Sequence, residues 1–216
     1  MGKRIIVLRH GETGHNAAGI WQGQLDVELS EVGMAQARAA APVLAARRPD
    51  LIVSSDLARA AATADLVGEL LGVQVERDER FREIHVGEWQ GRSGAEIRAE
   101  YPEDADKLLT GEDFRRGRSG ESVADVAARA LQGAHEVIGR LGDEGLAVIV
   151  SHGVAARALA AELVGMPQQQ AWLTLSGLRN CHWTELGQAR SGSWRVDTWN
   201  VGAPDAVEGA PWPTER

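Results

Sequence analysis

Three short runs, Ile5-Ile6-Val7-Leu8, Leu51-Ile52-Val53 and Leu146-Ala147-Val148-Ile149-Val150, constrain this chain more than any other feature. Each is continuously apolar and rich in β-branched residues, the pattern of a strand covered on both faces. A helical pattern follows each. Ser30 precedes a helix of about sixteen residues, running through Val32, Ala35, Ala39 and Val43 toward Arg47. Over 57–71, Leu57, Ala60, Ala61, Ala64, Val67 and Leu71 fall on one helical face. Ser122-Val123-Ala124-Asp125 has the capping-box pattern and opens a helix toward Leu141. A fourth helix is expected over 155–164, ended by Gly165 and Pro167.

Buried strands alternating with helices predict an α/β fold: a three-layer sandwich, its central sheet mostly parallel, with helices on both faces. Residues 181–186 and 194–199 alternate well enough to predict a C-terminal antiparallel hairpin joined around 187–192. Between Phe81 and Gly120 the chain is richer in Gly, Arg and acids, with weak helical patterns near 95–100 and 104–109. That stretch reads as an excursion over the sheet. The expectation is one domain over 1–216, with 202–216 a loose tail.

Composition removes several function classes. A single cysteine, Cys181, can neither close an intramolecular disulfide nor supply a cysteine-rich zinc site. With 31 acidic against 23 basic residues the net charge is −8, which offers no overall field to attract a nucleic acid. The apolar run near the start is too short for a signal-peptide core, and no stretch is long enough to span a bilayer. A cytoplasmic protein without nucleic-acid or membrane partners is expected.

The first strand runs into Arg9-His10-Gly11-Glu12-Thr13 and the third into Ser151-His152-Gly153. In open α/β sheets ligands bind beyond the carboxyl ends of the strands, and glycine lets a backbone approach a ligand. Either histidine alone reads as a satisfied polar residue; together with Arg9 they are harder to dismiss as candidates for a ligand site. Arg59, near the start of the second helix and off its apolar stripe, opposes the helix dipole by about 0.3–1 kcal/mol. A bound phosphate would remove that conflict, and a solvated surface arginine accounts for the residue equally well.

These residues fall into ordered blocks. Leu8-Arg9-His10-Gly11-Glu12-Thr13, followed by Asn16, Gln22-Gly23 and Leu29-Ser30-Glu31-Val32-Gly33, resembles the opening of the histidine phosphatase superfamily, the phosphoglycerate mutase-like enzymes. Ser54-Ser55-Asp56-Leu57-Ala58-Arg59-Ala60 with Thr63-Ala64 is similar to its second signature. Arg82-Glu83-Ile84-His85-Val86-Gly87-Glu88-Trp89-Gln90-Gly91 is similar to its acid-bearing loop, Gly120-Glu121-Ser122 to its pre-helix turn, and Ser151-His152-Gly153 to its last signature. The likeness covers about residues 4–200 in order.

The resemblance implies phosphoryl transfer. A phosphomonoester dianion repels nucleophiles, so fixed donors must surround its oxygens before attack. The family match gives that task to Arg9, Asn16, Gln22, Gly23, Arg59 and His152. It makes His10 the nucleophile that forms a phosphohistidine, with the Gly11 carbonyl as partner of its other nitrogen. Glu83 becomes the proton donor to the leaving alkoxide and then the base for water, which requires a carboxyl that holds its proton beside an anionic substrate. The competing reading leaves Glu83 a surface carboxylate among Asp78, Glu79 and Glu88; Glu12 and Glu88 are weaker donor candidates.

The implied partner is a small phosphorylated metabolite, with no cofactor and no metal. A metal site from His10, His15 and His152 is conceivable from imidazole chemistry, but carboxylates at ligand-like spacing are missing. His15 stays open between lining the entrance and being exposed. His85, His135 and His182 read as structural or surface residues, Trp21 and Trp89 as loop residues able to stack on substrate, and Trp183, Trp194 and Trp199 as hairpin packing. A cofactor-dependent phosphoglycerate mutase is the alternative. The short chain and the Glu88-Trp89-Gln90-Gly91 stretch favour the phosphatase branch, and within it the likeness is closer to glucosyl-3-phosphoglycerate phosphatases. A non-catalytic phosphate-binding module is the second alternative, and a homodimer is an assembly that the family allows.

Overall fold

The computed structural model describes residues 2–204. The expected loose tail lies outside the described residues from 205 onward, while Ala203, within it, is buried.

The strands are β1 (Arg4–Arg9), β2 (Leu51–Ser54), β3 (Glu76–Arg77), β4 (Leu146–Ser151), β5 (Trp183–Gln188) and β6 (Trp194–Val201). The helices are α1 (Gly14–Ala17), α2 (Glu31–Ala45), α3 (Ala58–Leu71), α4 (Gly94–Glu100), α5 (Pro102–Thr110), α6 (Val123–Arg140), α7 (Gly153–Val164) and α8 (Gln168–Thr174). One sheet carries the strands in the order β3-β2-β4-β1-β5-β6. The first four are parallel, whereas β5 pairs antiparallel with β1, and β6 with β5. The expected α/β sandwich with a C-terminal hairpin is what forms.

Alternation along β1 divides the core. Ile5 and Val7 join Ala130, Ala134 and Val137 of α6 and Ala156, Leu159 and Ala160 of α7 on one face of the sheet. Ile6 and Leu8 join Ala37, Ala40 and Leu44 of α2 and Ala60, Ala64 and Val67 of α3 on the other. The two-residue period of a strand sends neighbours to opposite layers, so a strand apolar at every position must be covered twice. The hairpin tryptophans split in the same way. Trp183 packs with the α2/α3 layer, while Trp194 and Trp199 pack against the α6/α7 layer.

Several helix boundaries follow from side-chain capping. Ser30 accepts from Gly33 N–H at 3.0 Å at the start of α2, and Ser122 and Asp125 form the expected capping box of α6. Gly165, in the left-handed region, ends α7. The apolar stripe expected for α2 is rotated: its buried face is Gly33, Gln36, Ala37, Ala40, Ala41 and Leu44, with Val32 exposed. Alanines suit the buried side because α2 packs closely against α3; Val32 is left toward solvent, while Val43 packs partly buried against the edge of the same cluster. The excursion after Phe81 carries α4 and α5 and builds a third apolar cluster. In it Ile84, Val86, Trp89, Ile97 and Tyr101 pack on Val123, Val126 and Ala127 of α6 and on Val154, Ala155 and Ala158 of α7. The short elements α1, β3 and α8 were not anticipated, since each is too brief to show a period.

Candidate active site

The carboxyl ends of three adjacent parallel strands converge. β1 delivers Arg9 and His10, β2 leads to Ser54-Ser55, and β4 leads through Ser151 to His152 at the start of α7. A cavity of about 490 Å³ opens beside them, lined by Arg9, His10, Asn16, Gln22, Gly23, Arg59 and Glu83 among others. Seven of the eight residues singled out from the sequence thus line one space. His152, the eighth, is fully buried behind it, with its ring centroid 5.0 Å from that of His10.

The two ring nitrogens of His10 are held differently. Its Nδ1 lies 2.6 Å from the Gly11 carbonyl, which can only accept, so Nδ1 carries the proton and Nε2 keeps its lone pair. Arg59 Nε donates to that Nε2 at 3.3 Å. Burial, with the Arg59 and Arg9 cations nearby, holds the His10 imidazole well below the ordinary histidine range. The ring is therefore neutral at physiological pH. His152 is depressed for similar reasons: burial first, then Arg59 and the surrounding basic groups. Its Nε2 lies 2.8 Å from Ser55 Oγ, and its Nδ1 has no hydrogen-bond partner among the described residues.

Arg59 is not the exposed arginine that its place off the apolar stripe left open. It is 1% exposed, on the buried face of α3, and donates to the carbonyls of Leu25 at 2.7 Å and Gly23 at 2.8 Å. Gly23 has φ +53, and a Cβ there would sit 2.8 Å from Val86 Cγ2, so the turn that offers its carbonyl to Arg59 requires glycine. Asp26 accepts from Ala58 N–H at 2.7 Å, supplying the anion that the start of α3 favours. Arg9 donates to the Leu178 carbonyl at 2.7 Å. Burial lowers both guanidinium groups to about 10, so both remain cationic at neutral pH.

Glu83 is only partly buried, yet it is not a free surface carboxylate. Oε2 accepts from Val154 N–H and Oε1 from Ala155 N–H, both at 3.1 Å, at the N-terminus of α7, and Oε1 also accepts from Ile84 N–H at 2.9 Å. The unpaired N–H groups of a helix start hold it at the cavity wall. Asn16 and Gln22 are tied into the neighbouring turn: Asn16 Oδ1 accepts from Thr13 N–H at 3.2 Å, and Gln22 Oε1 accepts from the Thr13 hydroxyl at 2.9 Å.

Other expectations need correction. Gly11 serves packing rather than ligand approach, because a Cβ there would collide with the Gly33 carbonyl at the start of α2. Trp89 is fully buried among Trp21, Tyr101 and Phe114, so it cannot stack on a substrate. Trp21 does line the cavity, as does His15. His85, His135 and His182 do not line it. Among the described residues no three His, Cys, Asp or Glu are grouped to hold a metal ion.

Ser55, Asn180 and Trp172 join the site without a sequence signal that gave them a role. Ser55 lies within the 54–60 block, where nothing in its spacing marks it as the partner of His152. Asn180 Nδ2 donates to the His10 carbonyl at 3.0 Å and to Asn16 Oδ1 at 3.2 Å, and no local pattern announces it. Trp172 forms part of the cavity wall and lies in α8, itself too short to foresee.

The two buried histidines make stability depend on pH. Each binds a proton more readily unfolded than folded, so acidification below about 6.5 favours the unfolded chain. The melting temperature should fall as pH drops from 6.5, and His152→Gln should flatten that fall by the share of one proton. Calorimetry across pH 5–8, roughly the range in which ordinary histidine titrates, checks this. An unaltered slope in the variant would refute it.

The histidine phosphatase superfamily (branch 1) profile matches residues 5–202. A glucosyl-3-phosphoglycerate phosphatase of Mycolicibacterium vanbaalenii is 42% identical over 218 aligned residues, covering 93% of this chain and 96% of that protein. A probable phosphoglycerate mutase of Photorhabdus laumondii is 31% identical, covering 92% and 90%. Among solved structures, a mycobacterial glucosyl-3-phosphoglycerate phosphatase in complex with VO3 superposes with a TM-score of 0.86 at 41% identity, covering 92% of this chain and 99% of that one.

Proposed function

This chain belongs to the histidine phosphatase superfamily and is a phosphatase; from that premise we propose that it hydrolyses a small phosphorylated metabolite, foremost glucosyl-3-phosphoglycerate, through a phosphohistidine on His10. The observation that carries this reading is the state of His10: neutral, its Nδ1 proton committed to Gly11, and its Nε2 lone pair set beside a buried arginine. Nε2 attacks phosphorus in line while the bond to the alkyl oxygen breaks. Arg9 and Arg59 stabilise the phosphoryl oxygens as paired donors, with Asn16, Gln22 and the Gly23 backbone lining the same cavity. His152 is assigned a further donor, because its Nδ1 has no protein partner among the described residues. Glu83 gives its proton to the departing alkoxide. It then takes one from the water that splits the phosphohistidine, releasing phosphate and restoring His10.

In this mechanism the charge-stabilising work falls to the arginines, so no metal takes part. We also propose a cytoplasmic setting, in keeping with the single free, buried Cys181, and one domain over the whole chain. No helix among the described residues is long and apolar enough to cross a membrane. A homodimer belongs to the same proposal and is decided by sedimentation.

The test is phosphate release, with EDTA present, from a panel holding glucosyl-3-phosphoglycerate, 3-phosphoglycerate, sugar phosphates and phosphoserine. The expected result is metal-independent hydrolysis with the highest kcat/KM on glucosyl-3-phosphoglycerate. Complete loss of activity with EDTA would overturn the mechanism. Preferred formation of 2-phosphoglycerate with a bisphosphate primer would overturn the hydrolase reading.

A further inference from the structure

We propose that Arg129, on α6 and outside the cavity lining, is the positioning residue that sets Glu83 for proton transfer. The proposal rests on the acid role assigned to Glu83 above.

Glu83 hangs from an irregular stretch between the single helical turn Glu79–Phe81 and the next, Gly87–Trp89, so neither a ladder nor a long helix fixes its backbone. Arg129 does. Its Nη1 donates to the carbonyls of Arg80 at 2.8 Å and Arg82 at 2.7 Å, and its Nη2 to the carbonyl of Glu83 itself at 2.9 Å. Nε and Nη2 donate to the two carboxylate oxygens of Glu121 at 2.8 and 2.9 Å. Every one of the five guanidinium N–H groups is thereby spent on one loop and its clamp. Glu121 closes the assembly by accepting from His85 N–H at 2.8 Å, two residues beyond Glu83, and Gln24 Nε2 donates to the Glu83 carbonyl at 3.0 Å.

Three carbonyl dipoles converging on one point repel one another unless a cation sits between them. A planar fork with five donors can do this, whereas a lysine ammonium, with fewer donors and no plane, cannot replace it. The side chain of Glu83 is tied separately to α7, so Arg129 governs its base and α7 its tip. Loosening the base shifts the carboxyl relative to the leaving oxygen without touching the nucleophile or the phosphate donors.

The experiment compares two leaving groups. p-Nitrophenolate departs without needing a proton, whereas an alkoxide such as that of glycerol phosphate needs one. Glu83→Gln should cut kcat/KM on the alkyl ester by about 10²–10⁴-fold while costing far less on p-nitrophenyl phosphate. Arg129→Lys should show the same selectivity in weaker form, roughly ten- to a hundredfold on the alkyl ester, with little change on the aryl one. Equal losses on both substrates, or none, in folded Arg129→Lys would overturn the proposal. If that variant does not fold, Glu121→Gln, which weakens the clamp alone, takes its place under the same criterion. Should Glu83→Gln itself fail to discriminate between the esters, the acid role falls and this proposal falls with it.

Discussion

His10→Ala should lower kcat by at least about three orders of magnitude and abolish any acid-labile phosphoenzyme trapped from labelled substrate. The size follows from what is removed. In the proposed chemistry no other group can take the phosphoryl from the substrate. His152, the nearest imidazole, is fully buried and has its Nε2 against Ser55. Water attacking the substrate directly would leave only the binding contribution of the arginines, a small remnant of the original rate. The folded state should survive, since the His10 side chain adds only two buried bonds, Nδ1–H to the Gly11 carbonyl and Nε2 from Arg59, at the end of a strand held on both sides by β4 and β5. Rapid-quench trapping and circular dichroism, measured together, separate lost chemistry from lost structure. Turnover within about tenfold of the parent in folded His10→Ala would rule out the phosphohistidine route.

Arg59→Ala is expected to be nearly as severe and to fail in two ways at once. On the chemical side it removes a charged donor from the proposed phosphoryl site, a loss typically of about 10²–10³-fold in rate. On the structural side it strands the buried Gly23 carbonyl, which Arg59 satisfies at 2.8 Å, and releases the part-buried Leu25 carbonyl, held at 2.7 Å. An unmet buried acceptor costs about 1–3 kcal/mol, and for a chain of this size each kcal/mol lowers the melting temperature by roughly 2–4 °C. KM for substrate should rise, kcat should fall, and the melting temperature should drop by several degrees. Arg59→Lys should recover part of the stability but little of the rate, because an ammonium cannot give two parallel hydrogen bonds to phosphate while also reaching both carbonyls. A lysine variant with full activity would show that charge alone matters at this position.

Much of this was legible because local rules decide it. The three apolar runs became β1, β2 and β4, and Ser30, Ser122 and Gly165 became the helix boundaries that their side chains or their freedom at positive φ dictate. The blocks around His10, Arg59 and Glu83 were recognisable as contiguous family signatures, and the fold brings them to one cavity. What stayed hidden was the surrounding shell. Whether Arg59 is buried stayed open because its position lies off the alanine stripe, whereas the buried face of α3 is wide enough to include it. Trp89 looked available because it lies in a loop, but that loop packs its own apolar cluster against α6 and α7.

The sequence by itself determined the three central strands, the hairpin and the long helices between them, the layered class of the fold and the residue types of the candidate site, since each is written in a short period or a contiguous motif. Only the tertiary structure decided which way α2 faces, that the start of α7 grips the Glu83 carboxylate across 71 residues, and that Arg129 grips its backbone across 46. Side-chain direction within an element follows from local geometry, so a pattern can encode it. A partner from another layer is chosen by how helices pack on the sheet, and that packing sums many weak contacts from distant parts of the chain.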